Sequence, residues 1–343
     1  MATIYKQLTT SDITNTRTLL HEVIPLTGTL VSGTYSDNNI KNYAHGMFQS
    51  VYDYPYLSSS ANHIFDLTVG YSSDSALSSS GATQNAKKIN IYNQMSQILV
   101  GYDTTGSLLQ FDRDGNIAAG GDKLKECIFM SFSRLLSKDE IKKGSFNLQL
   151  LASGTNASPS NLVTISDYGA NSEYRTNSPS GEYGVLYTSS AVVEGTGVGL
   201  LYYQAGIAVL TASLFTDQFG PRSDTSTYTS SVGAYLTSGS ITGSANGFRN
   251  RLSSVQFNNT TELNSTVYFC RANHNEFNYS SNPTYLSASK IVVKNNATDA
   301  PVSYITTVGL YSADNELMAV AKLSEPLKKS VDNELTIRVR LDY

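Results

Sequence analysis

Apolar and polar residues alternate along much of this chain, most regularly at its end. Leu335, Ile337, Val339, Leu341 and Tyr343 are interleaved with Glu334, Thr336, Arg338, Arg340 and Asp342. Successive strand side chains point to opposite faces, so this period of two predicts a half-buried antiparallel strand over 334–343. Strands are also predicted at 302–311 and 316–323 around a turn at 312–315, with 326–329 as a loop. Upstream, His63, Phe65, Leu67, Val69 and Tyr71 share one face of a strand over 63–71. Segments 126–134 and 146–151 read as strands, 182–215 reads as β throughout, and from Leu252 onward the chain is again β.

Helical spacing is rarer. Ile91, Met95, Ile98 and Leu99 make one stripe of a helix over 85–100, with Gly101 where a C-cap glycine belongs. Ile40, Tyr43, Met47 and Val51 predict another helix within 38–51, and Pro55 ends it. Ser137-Lys138-Asp139-Glu140 reads as a capping box opening a short helix that Gly144 closes. Asp114-Gly115 is a hairpin-turn signal. Residues 1–35 read as extended, punctuated by Pro25 and Gly28. Segments 152–181 and 218–247 are polar, Gly/Ser-rich and without apolar periodicity, and they read as long surface arms. The expected fold is mainly β with a few helices (α+β): antiparallel sheets in sandwich-like modules with long polar loops. Three regions are expected: a mixed α/β domain at 1–151, a β region with polar arms at 152–247, and an antiparallel β module at 248–343.

Composition narrows the class. Charged residues are only 15% and the net charge is −4, so the polarity comes from hydroxyls and amides rather than from the high charge typical of disorder. This balance gives no basis for nucleic-acid binding. Tyrosine is abundant, 23 residues against no tryptophan, and it suits half-buried strands and subunit contacts. The two cysteines, Cys127 and Cys270, are expected to be buried free thiols rather than a disulfide. No charged segment followed by an apolar run marks a signal peptide, so Asn264-Ser265-Thr266 and Asn296-Ala297-Thr298 are expected to be chance triplets. Residues 195–216 are uncharged, but Tyr202-Tyr203-Gln204 interrupts them; two buried strands around Ala205-Gly206 fit better than a membrane span.

The search for chemistry comes back short. His21, His45, His63 and His274 show no metal-ligand spacing, and Cys270 with His274 supplies only two ligands. Asp112-Arg113-Asp114-Gly115-Asn116 resembles the start of a calcium loop, but its glycine falls at position four and Lys123 at position twelve, so a β-turn is expected. Gly195, Gly197 and Gly199 lack the third glycine of a dinucleotide loop, because Leu200 stands there, and are expected to form a turn. Asp139 and Glu140 are expected on a solvated helix. Arg249, Arg251, Lys328 and Lys329 are expected at a subunit contact or in solvent. No catalytic, cofactor-binding or metal residue is assigned, no cofactor is expected, and an enzyme is not expected.

Residues 39–76, 88–103, 125–150, 197–215 and 273–285 resemble virion structural proteins of contractile-tailed phages of marine cyanobacteria. The closing segment 304–343, with its Val308-Gly309-Leu310-Tyr311 strand, turn and return strand, resembles a β module of baseplate and tail-fibre-attachment proteins. The resemblance implies a virion part in the tail, baseplate or fibre-attachment region, made in the host cytoplasm. The implied partners are copies of itself in a symmetric homo-oligomer and other phage structural proteins, with no nucleic acid and no membrane span. A neck, collar or capsid-decoration protein and a receptor- or glycan-binding module are the alternatives. In that setting the arms at 152–181 and 218–247 would wrap neighbouring subunits.

Overall fold

The computed structural model describes residues 5–22, 37–117, 120–151, 162–188, 191–193, 195–215, 231–249, 251–279, 286–287, 290–291, 298 and 300–343. Along the chain run β1 (Ile13–Glu22), β2 (Ile40–Asn42), β3 (Gln49–Tyr52), β4 (His63–Tyr71), α1 (Asn85–Leu99), β5 (Glu126–Phe132), α2 (Arg134–Ser137), β6 (Glu140–Ile141) and β7 (Asn147–Leu151). There follow β8 (Leu162–Ser166), α3 (Ala170–Glu173), β9 (Arg175–Ser178), β10 (Gly181–Leu186), β11 (Gly199–Tyr202), β12 (Ile207–Thr211), α4 (Val232–Ser238) and α5 (Ile241–Arg249). The chain continues with β13 (Leu252–Gln256), β14 (Asn259–Ala272), β15 (Leu286–Ser287), β16 (Lys290–Ile291), β17 (Val302–Tyr311), β18 (Leu317–Ser330) and β19 (Leu335–Asp342). The fold is mainly β with a minority of helix, in the α+β class as expected.

Two compact units divide the chain: residues 20–261, and residues 1–19 with 262–343. These bounds differ from the expected 1–151, 152–247 and 248–343. Strand pairing is the reason. β5 pairs with β12 from Ile207↔Ser131 to Thr211↔Cys127, and β7 pairs with β13, so sheets join segments on both sides of 151 and of 247.

The 20–261 unit is built on an eight-stranded sheet in the order β2-β3-β4-β5-β12-β11-β10-β9, with a three-stranded sheet β13-β7-β8. β4 is covered on both faces along its C-terminal half, where α1 crosses it at Gly70. A Cβ at Gly70 would lie 2.7 Å from the Lys88 carbonyl oxygen and 2.9 Å from the Tyr92 nitrogen, so only glycine permits this approach. Aromatic contacts run through the core: Tyr92 to Phe111 at 5.4 Å, Phe111 to Phe129 at 5.7 Å, and Phe132 to Phe257 at 4.9 Å. Tyr92 and Tyr183 are wholly buried here, beyond the half-buried strand positions expected of tyrosine. The Tyr92 hydroxyl donates to the Leu124 carbonyl at 2.8 Å and that of Tyr183 to Gly115 at 2.7 Å. Each ring thus packs in the interior with its polar end satisfied.

Several expectations hold in detail. The predicted strand over 63–71 is β4, the helix over 85–100 is α1, and β11 and β12 flank a turn at Tyr203–Gly206 as anticipated. Gly101, with φ +92, follows α1 and donates to the Ser96 carbonyl at 2.9 Å. Asp112–Gly115 is a turn, with Gly115 at φ +69.

Others are corrected. The helix within 38–51 is instead the β2–β3 hairpin, where Ile40 pairs with Val51 and β3 pairs with β4. Two residues that helical spacing would put on one face are cross-strand neighbours. The 137–140 segment does not open a helix: α2 ends at Ser137, Lys138 takes φ +52, and Glu140 enters β6. The polar arm at 218–247 is not a surface excursion over its described part, which folds as α4 and α5. Ile241, Ala245 and Phe248 bury one face of α5, and abundant Gly, Ser and Thr masked that stripe in the sequence. The arm at 152–181 likewise contributes β8, α3 and β9; residues 152–161 and 218–230 lie outside the described residues. Residues 326–329 are not a loop but part of β18, beside a register irregularity between Ile305 and Thr307. Among the described residues no helix is long and apolar enough to cross a membrane.

Candidate functional site

The unit formed by 1–19 and 262–343 contains a sheet in the order β1-β14-β19 and the separate β17–β18 hairpin. The expected single module 302–343 is therefore split. β19 pairs with β14 over eight residues, from Ser265↔Asp342 to Ala272↔Leu335, while among the described residues β17 pairs with β18 alone.

This unit inverts the usual burial. Among its described residues, Val267, Ala272 and Val339 are the only buried apolar side chains. Tyr304, Tyr311, Leu317, Met318, Val320 and Tyr343 are exposed, Met318 at 70% and Tyr343 at 75%. Along β17 and β18 the upper ladder runs from Thr307↔Lys322 to Leu310↔Ala319, then irregularly to Tyr311↔Leu317. Gly309 shapes that end, because a Cβ there would lie 3.0 Å from the Tyr311 ring and 3.2 Å from Leu317 Cδ1. Those two side chains crowd the space a side chain would need, and Tyr5 packs on Tyr311 with ring centroids 4.7 Å apart. A two-stranded ribbon with apolar groups open to water is marginally stable by itself.

The hairpin root is held differently. Lys329 is fully buried and donates from Nζ to Asn278 Oδ1 and the Ser330 carbonyl, each at 2.7 Å. The Ser303 hydroxyl donates to the Phe277 carbonyl, and Asn278 Nδ2 to that of His274 at 2.7 Å. These bonds fix the turn after β14, in which Phe277 sits exposed at φ +52. A bulky residue there is uncommon and strained.

Carboxylates tie the rest of the unit together. The Thr9 side chain and backbone hold Asp12 below the ordinary carboxyl value, and Arg271, at 3.0 Å, adds to this. The Lys6 ammonium does the same for Glu276, as the Ser265 hydroxyl and Arg340 do for Asp342.

The remaining sequence candidates do not converge. Lys123 pairs with Asp112 and so supplies a cation within the calcium-like loop, whose sixth position is Ile117 at φ +56. A Cβ on Gly197 would lie 2.3 Å from the Arg113 carbonyl oxygen, and one on Gly199 would lie 2.3 Å from that of Val209; these glycines serve close backbone packing. Cys127 and Cys270 are both free thiols, but Cys270 is half-buried rather than buried. His63 pairs with Asp66 at 2.9 Å, and that hydrogen bond raises its pKa. The expectation of solvent, or of a subunit contact, for charged residues fails at four positions. Glu140 is buried beside Lys143, and Arg249, Arg251 and Lys329 are buried as well. Sequence reasoning also missed Asp167. This buried carboxylate accepts hydrogen bonds from the Gly144 and Phe146 amides and the Tyr203 hydroxyl, and desolvation raises its pKa to about 6. Those donors come from distant parts of the chain, so no local pattern marks it.

Searches against protein-family models, curated proteins and solved structures return no match. Among the described residues no group of three or more His, Cys, Asp or Glu is arranged to hold a metal ion.

Proposed function

We propose that this chain is a structural subunit of a tailed-phage particle, in its tail, baseplate or fibre-attachment region, acting by self-assembly and docking of other virion proteins. The observation that supports assembly is the inverted burial of residues 1–19 and 262–343. A unit with three buried apolar side chains among its described residues, and an open two-stranded ribbon, needs further surface to complete it. The particle assignment draws on the resemblance of 304–343 and the upstream segments to virion proteins.

Sedimentation of the full-length chain over a concentration series tests the assembly reading. Association is expected, and replacing Tyr311, Leu317 and Val320 together by serine should weaken it without changing the circular dichroism spectrum. A chain that stays monomeric throughout argues against self-assembly. Immunogold labelling of purified particles tests the address: label on the tail is expected, and label on neck or head selects the alternatives. A receptor- or glycan-binding reading is favoured by the exposed Tyr279, Tyr304 and Tyr343, and retention on a glycan column, lost on Tyr304→Ala, would support it instead.

A further inference from the structure

The outer edge of β17 is open. Its inner edge forms the ladder with β18, and among the described residues none of 302–311 makes a backbone hydrogen bond to any other strand. A row of unpaired amides and carbonyls is a template for another extended chain. Proteins usually blunt such edges with charges, prolines or irregularities. The other outer strands of this unit carry those devices: β18 has Lys322, Glu325, Pro326 and Lys328 beside its irregularity, and β19 has Arg338, Arg340 and Asp342. β1 carries Arg17, paired with Glu262. β17 shares the irregular register of its ladder with β18, but among the outer strands of this unit longer than two residues it is the one with neither charge nor proline.

From this asymmetry we infer that β17 pairs antiparallel with β17 of a second copy of the chain about a two-fold axis. This deepens the assembly reading and rests on it. The occupant follows from electrostatics and strand count. An uncharged edge laid against itself brings no like charges together, whereas β18 or β19 laid against its own copy would. Pairing β17 onto a neighbour's β18 would meet Pro326 and the broken register. Two ribbons joined through β17 make one four-stranded sheet, which passes the three strands needed for independent stability. A shared surface on both partners is also what a two-fold contact requires.

Thr306 and Thr307 lie at the middle of β17 and are exposed, so near the axis each would approach its counterpart. The variant Thr306→Glu with Thr307→Glu sets Glu at 307 opposite Lys322 within the hairpin, which favours the ribbon, while placing like charges across the two-fold contact. Sedimentation of the full chain should show the association midpoint rising by at least about tenfold in concentration. An equimolar mixture with the Thr306→Lys, Thr307→Lys variant should restore association. A Glu variant that associates as wild type, or a mixture that fails to recover, overturns the two-fold pairing. If that happens while the Tyr311, Leu317 and Val320 serine variant still loses association, the assembly reading stands and only the β17 contact falls. A monomeric wild type removes both.

Discussion

At the scale of single residues, the informative groups are charges held out of water by hydrogen bonds. Lys88 lies in α1 with no exposed surface, and its Nζ donates to the carbonyls of Leu236 at 2.5 Å and Gly239 at 2.8 Å. It closes the C-terminus of α4, a short Gly- and Ser-containing helix of weak propensity. Replacing Lys88 with methionine keeps the stem and removes the donors, so urea unfolding should show a loss of about 1–3 kcal/mol. Desolvation lowers the Lys88 pKa from 10.5 to about 8. Between those values the unfolded chain binds a proton that the folded one has released, so this group's contribution rises with pH over that window. A neutral amine still has two N–H groups for the two carbonyls. The stability difference between wild type and Lys88→Met should therefore widen from pH 8 toward pH 10; a constant difference would mean that the amine does not titrate there.

At the scale of elements, alternation was the most legible signal. β19 keeps the predicted pattern, with Leu335, Ile337, Val339 and Leu341 more covered than their neighbours. α1 was legible as a helix, but its predicted stripe holds only in part: Ile98 is exposed, and Lys88, Tyr92 and Ser96 are buried with Ile91 and Leu99. The short elements were not legible. β2 and β3 satisfy helical spacing but are only three and four residues long, and sheet partners rather than local preference decide their state. β19 also supports a prediction. Removing 334–343 takes away all eight of its pairs with β14 and the reciprocal backbone bonds between Asn264 and Tyr343. Hydrogen exchange of the truncated chain should show amides of 265–272 losing protection while those of β4, β5 and β12 keep theirs. Unchanged protection at 265–272 would show that β19 does not hold β14.

At the scale of the whole molecule, one buried carboxylate responds to acid with the opposite sign to the others. Asp12, Glu276 and Asp342, outside 20–261, and Asp74 and Asp103, within it, have lowered pKa values. Their contribution is present above the ordinary values of 3.8 for Asp and 4.5 for Glu, and is lost as pH falls through the lowered ones. Asp167, within 20–261, has a raised pKa; its contribution is full below 3.8 and is lost as pH rises through about 6. Replacing Asp167 with asparagine should therefore remove a fall in urea-unfolding stability between about pH 4 and pH 6; an unchanged pH slope would contradict this. The sequence by itself determined the β character of the chain, α1 and the final strand, because each rests on a periodicity that neighbouring residues carry. Only the tertiary structure decided the unit bounds, the burial of Lys88, Asp167 and Lys329, and the open edge of β17. Those depend on which distant segments meet, and on the hydrogen bonds that let a charge leave water.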